Sequence, residues 1–526
     1  MTAAAGFALS SASANSRGRR NFRSRSIGAS DNEKWQGIVG IRIRGRRRDP
    51  MRSGQRWTVR ISTTQSDVRG PGTFSGKPYR PPSLSSFVGV ITGWEFPWVE
   101  PTVSTGPMED SAMVREQGGW VLVAAFASSS LGFVFWAFAA RLFTSNAVGI
   151  AGPLVGLSSL ATSIGILGLD NGLVRFIPRA DRPRALMRRL MLIAGALSAV
   201  TGLILSAAVL AVSRDPAQQL PFLVLLTVVL ATSQTWFQIT DSGILAAQKS
   251  QFLGTRAISF GVVKIGMLFA VVGVGASGLF AAYVLPLLAI VIVSLFFVDR
   301  LWPERNERGT PVHLRELANL SFGNWISGLV YSIPSRVGPS IMLIFLGASP
   351  VAYFFIALQL AEVLNYIPEA VAKSLFAHGS IQDRLPASLT SSMRRLLAVI
   401  MLPLVALGIV LASIGMTILG GTQYGAHGLA LQLFLLATLP KAGIQLYKAQ
   451  FNVDRRPVAL IAMGSTLGLV TLAAFVIFLI RGVPADWLPL AWVIGGTLAL
   501  GVGWLLSRRR TPAKAEPQAT SAEPRV

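Results

Sequence analysis

From about residue 118 to residue 507 the chain alternates long apolar runs with short polar connections, and the alternation repeats twelve times. The runs cover approximately 119–140, 146–168, 190–212, 220–239, 255–273, 278–298, 322–345, 350–372, 396–418, 426–443, 457–480 and 487–507. Each holds roughly 18 to 25 residues, enough for an α-helix to cross a hydrocarbon core ~30 Å thick. Inside lipid every backbone polar group must be paired within the protein, so runs of this length predict helices. The pattern therefore predicts an all-α polytopic membrane protein of about twelve transmembrane helices. Composition agrees, with 52% hydrophobic and only 14% charged residues, where soluble domains average roughly 25% charged.

The connections are unequal in charge. The stretch "GLDNGLVRFIPRADRPRALMRRL", residues 168–190, holds six arginines. Counting span-edge residues such as Arg256 and Lys441, the five connections after even-numbered spans carry 20 Lys/Arg, and the six after odd-numbered spans carry 3. Positive charge in short loops marks the cytoplasmic side. Twelve spans then place both termini in the cytoplasm of a multi-pass protein of the cell inner (plasma) membrane. Most arginines of 168–190 read as orientation signals. Asp170 is expected to N-cap a short segment ended by Pro178, and Asp181 another beginning near Pro183.

The chain also repeats. "LMRRL" at 186–190 matches "SMRRL" at 392–396, "LFTSNAVGIAGPLVGLSSLA" matches "FLGASPVAYFFIALQLAEVL", and "LAAQKSQF" matches "LYKAQFNV". The offsets are 206, 203 and 202 residues, about six spans each. An even number of spans keeps orientation. The duplication predicts two six-helix lobes, residues 116–305 and 306–507, related by a pseudo-two-fold axis along the membrane normal, with a site between them. Residues 508–526 form a basic cytoplasmic tail.

Residues 1–115 hold 18 Lys/Arg against 8 Asp/Glu and have no run long enough to span. They are expected to be a disordered basic leader, or a start assigned too early, with Met108 or Met113 opening the working chain. There is no cysteine, and the histidines His313, His378 and His427 are far apart, so no metal site and no cofactor are expected. No Walker motif occurs. The GxGxxG at Gly273, Gly275 and Gly278 lies between two spans rather than after a strand, so it reads as a tight turn. Gly152 and Gly156 read as close-packing positions.

Charges within the apolar runs narrow the site. Burying one at a helix centre costs ~2.5–3.5 kcal/mol even on insertion scales. Lys264, in "SFGVVKIGMLF", lies near the middle of span five. Arg336, in "YSIPSRVGPSIM", lies in span seven between Pro334 and Pro339, which remove backbone donors and kink the helix. Either cation lines a cavity between the lobes or pairs with an intramembrane acid, Asp241 for Lys264 and Glu362 for Arg336. Glu362 and Glu369 lie seven apart in span eight and share a helix face with Asn365 between them. Glu369 reads as interfacial. Glu362 and Asp170 are the candidates for a coupling ion, although Asp170 is first a capping residue. Gln234, Trp236, Gln238, Asn324 and Trp325 suit a polar vestibule, or, for the tryptophans, the interfacial aromatic belt.

"ARLFTSNAVGIAGPL" after the first span and "LGLDNGLVRFIPR" after the second resemble segments of the oligosaccharide flippases. These form the polysaccharide-transporter branch of the multidrug/oligosaccharidyl-lipid/polysaccharide exporter superfamily. The resemblance covers about residues 118–507, and the basic leader departs from it. It implies a transporter rather than an enzyme, moving a polyprenyl-diphosphate-linked oligosaccharide outward by alternating access for cell-surface polysaccharide assembly. On that reading Arg336, Lys264 and Arg175 are candidates to bind the diphosphate, and Asn324 and Gln234 the sugar. Arg175 has the plainer alternative of a topology arginine. The implied partners are the lipid-linked oligosaccharide, membrane lipids, and glycan polymerase and glycosyltransferase partners, with no nucleic acid. Two rivals remain, a multidrug exporter of the same superfamily and a non-transporting membrane scaffold for glycan assembly.

Overall fold

A computed structural model describes residues 107–508 except 214–219, 308, 313, 383 and 384, together with most but not all side chains of those residues. The leader up to residue 106 and the tail beyond Arg508 lie outside the described residues. Twelve long helices form: α1 Pro107–Leu142, α2 Ser145–Ile166, α3 Pro183–Val212, α4 Leu220–Ala246, α5 Gln251–Ala270, α6 Gly275–Leu301, α7 Leu314–Leu346, α8 Ala348–Gln382, α9 Ala387–Gly420, α10 Gly428–Val453, α11 Pro457–Ile480 and α12 Leu490–Arg508. Each contains a segment long and apolar enough to cross a membrane. Short helices at Leu169–Phe176 and Thr422–Gly425 fill two connections. No strand occurs among the described residues; an isolated bridge joins Ala180 to Thr310. The predicted spans all appear, several extended by polar turns at their ends, as in α8 and α9.

The turns follow from local chemistry. A single residue, Gly347, links α7 to α8 at φ 80°, a conformation that glycine adopts without steric cost. Gly273 and Gly275 take positive φ in the turn between α5 and α6, so the GxGxxG stretch is a tight turn. The two expected acidic caps are not the observed ones. Gly168, at φ 73°, holds the N-cap position of Leu169–Phe176, which puts Asp170 inside the first turn; the Asp170 side chain lies outside the described residues. Arg182 precedes Pro183 as the N-cap of α3, without a side-chain cap bond. Asp181 instead ties two connections together. Its N–H donates to Thr310 O at 3.1 Å and its carbonyl accepts from Asn306 N at 2.7 Å.

Packing repeats with the sequence. In the first half α1 lies on α5, α3 on α4, and α4 on α6; in the second α7 lies on α11, α9 on α10, and α10 on α12. Small residues set the approach in both. A Cβ at Gly261 of α5 would lie 2.3 Å from the Leu131 side chain of α1, and one at Gly468 of α11 would lie 2.0 Å from the Val330 carbonyl of α7. Lipid supplies no hydrophobic drive between helices, so such close van der Waals contact is what holds them. The outward faces carry exposed apolar side chains such as Phe126, Val410 and Val458, as a lipid-facing surface requires.

Helix α2 joins the halves by packing on both α7 and α8. A Cβ at Gly149 would lie 1.8 Å from the Ala348 carbonyl, one at Gly152 2.8 Å from the Phe355 ring, and one at Gly156 2.6 Å from the Arg336 carbonyl. The close-packing role expected of Gly152 and Gly156 is therefore met, against the other half of the molecule. Ser145 and Ser349 hydroxyls bond at 3.2 Å at one end of this seam.

If these glycines set the helix spacing, Gly468→Leu, driven against backbone, should cost at least the ~1–3 kcal/mol typical of overpacking. Gly415→Ala, where an added Cβ meets nothing within 4 Å, should be neutral or gain up to ~1 kcal/mol of helix propensity. Thermal melting in detergent compares the two, and equal melting temperatures would show that spacing is not set at Gly468.

Candidate functional site

At the seam, Gly156 lets α7 approach α2 at the level of Arg336, and Pro334 and Pro339 interrupt the α7 backbone ladder on either side. The Arg336 side chain runs along α2. Its Nη1 donates to the Ser159 carbonyl at 2.8 Å and to the Ser163 hydroxyl. No carboxylate pairs with it among the described residues. The side chain is only half-buried, which leaves guanidinium N–H groups open to a ligand or water. The same stretch of α2 serves two other predicted residues. Trp325 Nε1 donates to the Ser163 carbonyl at 2.6 Å, and Gln234 Oε1 accepts from Thr162 at 3.2 Å and Ser159 at 3.4 Å. Arg336, Trp325 and Gln234 thus converge on one polar strip. Asn324 is next to Trp325 in α7, but its side chain lies outside the described residues.

Lys264 occupies a different wall. It is 2% exposed, with Nζ 4.6 Å from the Phe260 ring centroid, 5.0 Å from Tyr283 and 5.5 Å from Phe135. It has no ion pair among the described residues, so three ring faces replace water around the ammonium. The box connects to the seam through rings: Tyr283 stacks on Trp136 at 6.3 Å, and Trp136 meets Phe355 of α8 edge-on at 4.7 Å. Sequence reasoning missed the box, although Phe260 stands four residues before Lys264 and so on the same helix face.

Both proposed acid partners are engaged elsewhere. Asp241 bonds Arg256, not Lys264. Arg256 also donates to Thr240 Oγ1 at 2.6 Å and to the Phe237 carbonyl at 2.8 Å, and lies 3.8 Å above the Phe237 ring. Glu362 bonds Lys441 Nζ at 2.7 Å, not Arg336, and accepts from Asn365 Nδ2 at 3.0 Å. Arg256 and Lys441, counted at span edges in the sequence, are both buried, and Lys441 lies inside α10. Removing them leaves the charge asymmetry of the connections standing. Glu369 pairs with Lys373 one turn away at 2.8 Å, both substantially exposed, as an interfacial residue does. Arg175 is exposed on its short helix, which packs on α4 and α7. Gln238 is exposed too, whereas Trp236 is anchored by its indole N–H to the Met191 carbonyl at 2.9 Å.

His313 and the His378 side chain lie outside the described residues. His427 Nδ1 lies 2.8 Å from Asp486 Oδ1, and its ring stacks on Tyr353 at 4.1 Å. Among the described residues no group of three His, Cys, Asp or Glu side chains could hold a metal ion.

With this geometry in view, solved structures of similar shape define the fold. A multidrug resistance MATE family transporter of the MOP superfamily, in an inward-facing conformation, superposes with a TM-score of 0.58 at 16% identity, covering 74% of this chain and 97% of that one. The lipid II flippase MurJ, in an inward closed conformation, superposes at 0.61 with 12% identity, covering 74% and 87%. A MATE structure in the straight conformation gives 0.52 at 16% identity, covering 76% and 95%. The chain therefore has the fold of the MOP-superfamily transporters. No protein-family model matches it, and no curated protein matches it by sequence.

Two predictions follow from the charges. Glu362→Gln or Lys441→Met alone leaves a partner uncompensated, a loss of ~3–5 kcal/mol for a fully buried pair and less here because Glu362 keeps 35% side-chain exposure. The double variant should melt above either single one; melting below both would show that the pair is not coupled. Lys264→Met, which removes an unpaired buried cation, should raise the melting temperature. A lowered one would mean that the ring contacts hold the fold together.

Proposed function

We propose that this chain is a transporter rather than an enzyme, and that it moves a polyprenyl-diphosphate-linked oligosaccharide outward across the cell inner membrane by alternating access. The observation carrying this reading is Arg336. A guanidinium at the seam between the halves, half-exposed and without a carboxylate, is expensive to keep in a membrane and is matched in geometry to phosphate oxygens. Gln234 and Trp325, held on the same strip of α2, supply an amide and an apolar ring face suited to a sugar. Lys264 adds a second cation, shielded behind Tyr283 and Phe135, that becomes useful to an anionic cargo if the halves separate. The fold is shared with a lipid II flippase, which supports a lipid-linked cargo. The short motifs in the first two connections favour the polysaccharide branch. Glycan polymerases and glycosyltransferases are the partners that this role implies.

A second reading has its own support. The fold is equally that of a multidrug transporter, and Glu362 is a membrane-embedded acid whose lysine could be displaced by a cationic drug or rendered idle by a proton. In that case Glu362, rather than Arg336, governs transport, and Glu362 rather than Asp170 is the coupling residue.

Sealed vesicles loaded with a fluorescent diphosphate-linked oligosaccharide separate the readings. Wild type should expose the lipid on the far leaflet. Arg336→Ala should lower the rate about ten- to a hundredfold, the value of a charge-assisted hydrogen bond or two, with Arg336→Lys in between. If the variant flips at the wild-type rate while Glu362→Gln abolishes efflux of a cationic dye, the cargo is cationic and the anionic reading fails.

A further inference from the structure

A groove opens on the lipid-facing side of the first half, away from the seam. It lies between the start of α3, the end of α6 and the connection that follows, with Trp236 of α4 forming part of the wall, and its volume is about 530 Å³. This end of α3 and α6 is the arginine-rich side of the membrane. The wall is apolar and open: Leu192 and Phe296, each 69% exposed, line it with Leu295 and Val298. Its mouth is basic, with Arg184, Arg188 and Arg300 in the lining. A contiguous depression of about 570 Å³ shares Arg184 and Arg188 and adds Arg189, with Glu304 the one acid among its described lining residues.

The polar groups are arranged as donors. Arg184 is fixed by donating Nε to the Trp302 carbonyl and by Nη1 at 3.3 Å from the almost fully exposed Glu304. Trp302 also lines the groove, and its buried indole N–H has no acceptor among the described residues. An orphaned donor costs about as much as a lost hydrogen bond, so a site whose missing component is an acceptor fits it. Trp236 spends its own N–H on Met191 and presents only ring. Its seat exists because position 195 is glycine, where a Cβ would lie 2.5 Å from the indole nitrogen.

Arginines and an unspent indole N–H above an open apolar trough, at the boundary between lipid and water, match one molecule in shape and charge. The geometry points to a binding site for an anionic phospholipid of the arginine-side leaflet, its phosphate held by Arg184, Arg188, Arg300 and the Trp302 N–H and one acyl chain lying between Leu192 and Phe296. A zwitterionic lipid offers the same phosphate but also a cation that the arginines repel. Free phosphate lacks the chain that the trough accommodates. The site is separate from Arg336 and independent of what cargo crosses the seam.

Native mass spectrometry of the full chain in detergent, titrated with phosphatidylglycerol, tests this directly. Wild type should retain one phosphatidylglycerol more tightly than phosphatidylcholine, and millimolar inorganic phosphate should not displace it. Each arginine near a charged membrane surface adds about fivefold in affinity. Arg184→Gln/Arg188→Gln/Arg300→Gln should therefore lose the tight lipid, while Arg394→Gln/Arg395→Gln, the repeat-related pair at the start of α9, should keep it. Because Arg184 also braces the connection, Arg300→Gln alone, at an exposed position, and Trp302→Phe provide milder variants, each expected to weaken retention several-fold with melting unchanged. Equal retention of the two lipids by wild type, or undiminished phosphatidylglycerol binding in the triple variant, would overturn the assignment. Displacement by phosphate would also overturn it, since the site would then be one for a free anion.

Discussion

The closest approach between the two halves is made by α2, and the rest of the arrangement depends on it. In a bilayer the halves gain little by hiding apolar surface from each other, because lipid is an equally good neighbour. What can hold them is contact close enough to exclude lipid altogether. Gly149, Gly152 and Gly156 provide that on one face of α2, against Ala348, Phe355 and the backbone at Arg336. The same closeness brings the Arg336 guanidinium within reach of the α2 backbone and hydroxyls. The joint and the candidate site are one piece of geometry, so any motion that loosened α2 would also free Arg336.

Charge placement follows from this constraint. Arg256 is buried with a carboxylate and two further hydrogen bonds, and Lys441 with a carboxylate that also accepts from Asn365, the arrangement in which a buried ion pair comes nearest to recovering its desolvation cost. Arg336 and Lys264 are treated differently. Each is given neutral partners, hydroxyl and carbonyl oxygens in one case and ring faces in the other, which lower the cost of the cation without cancelling its charge. A chain selected only for stability would have filled both positions with leucine or methionine.

Helix number, element type and the sense of the repeat were legible in the sequence, because twelve apolar runs leave the backbone no alternative within lipid and because loop matches at near-constant offset fix the duplication. Positions in one helix were legible as well: Arg336 between two prolines, and Asn365 beside Glu362, depend on local spacing alone. Partners across helices were not. Asp241 reads as a mate for Lys264, and its pairing with Arg256 becomes visible only in the crossing of α4 and α5, while Glu362 pairs with a lysine 79 residues away. Interhelical register is set by small residues whose facing neighbours a single sequence does not reveal. Asp170 was misjudged as a cap for a related reason, since Leu167 and Gly168, both at positive φ, end α2 and open the short helix before it.

The repeat separates what duplication preserves from what it does not. Gly261 and Gly464 stand 203 residues apart and serve the same purpose, seating the fifth helix of each half on the first. The charges break the symmetry. At offsets of 202–206 residues Arg336 falls within residues 130–134 of α1, which hold no charge; a Cβ at Gly132 in that stretch would lie 3.9 Å from Lys264 Nζ. Among the described residues each half therefore holds a cation without a carboxylate beside its first helix, from that helix itself in the second half and from α5 in the first. Glu362 is paired with Lys441 between α8 and α10, so it does not cancel either cation. A scaffold doubled in backbone packing but not in charge thus brings a cation to each half from a different helix, Arg336 against α2 at the seam and Lys264 within the rings of α1, α5 and α6.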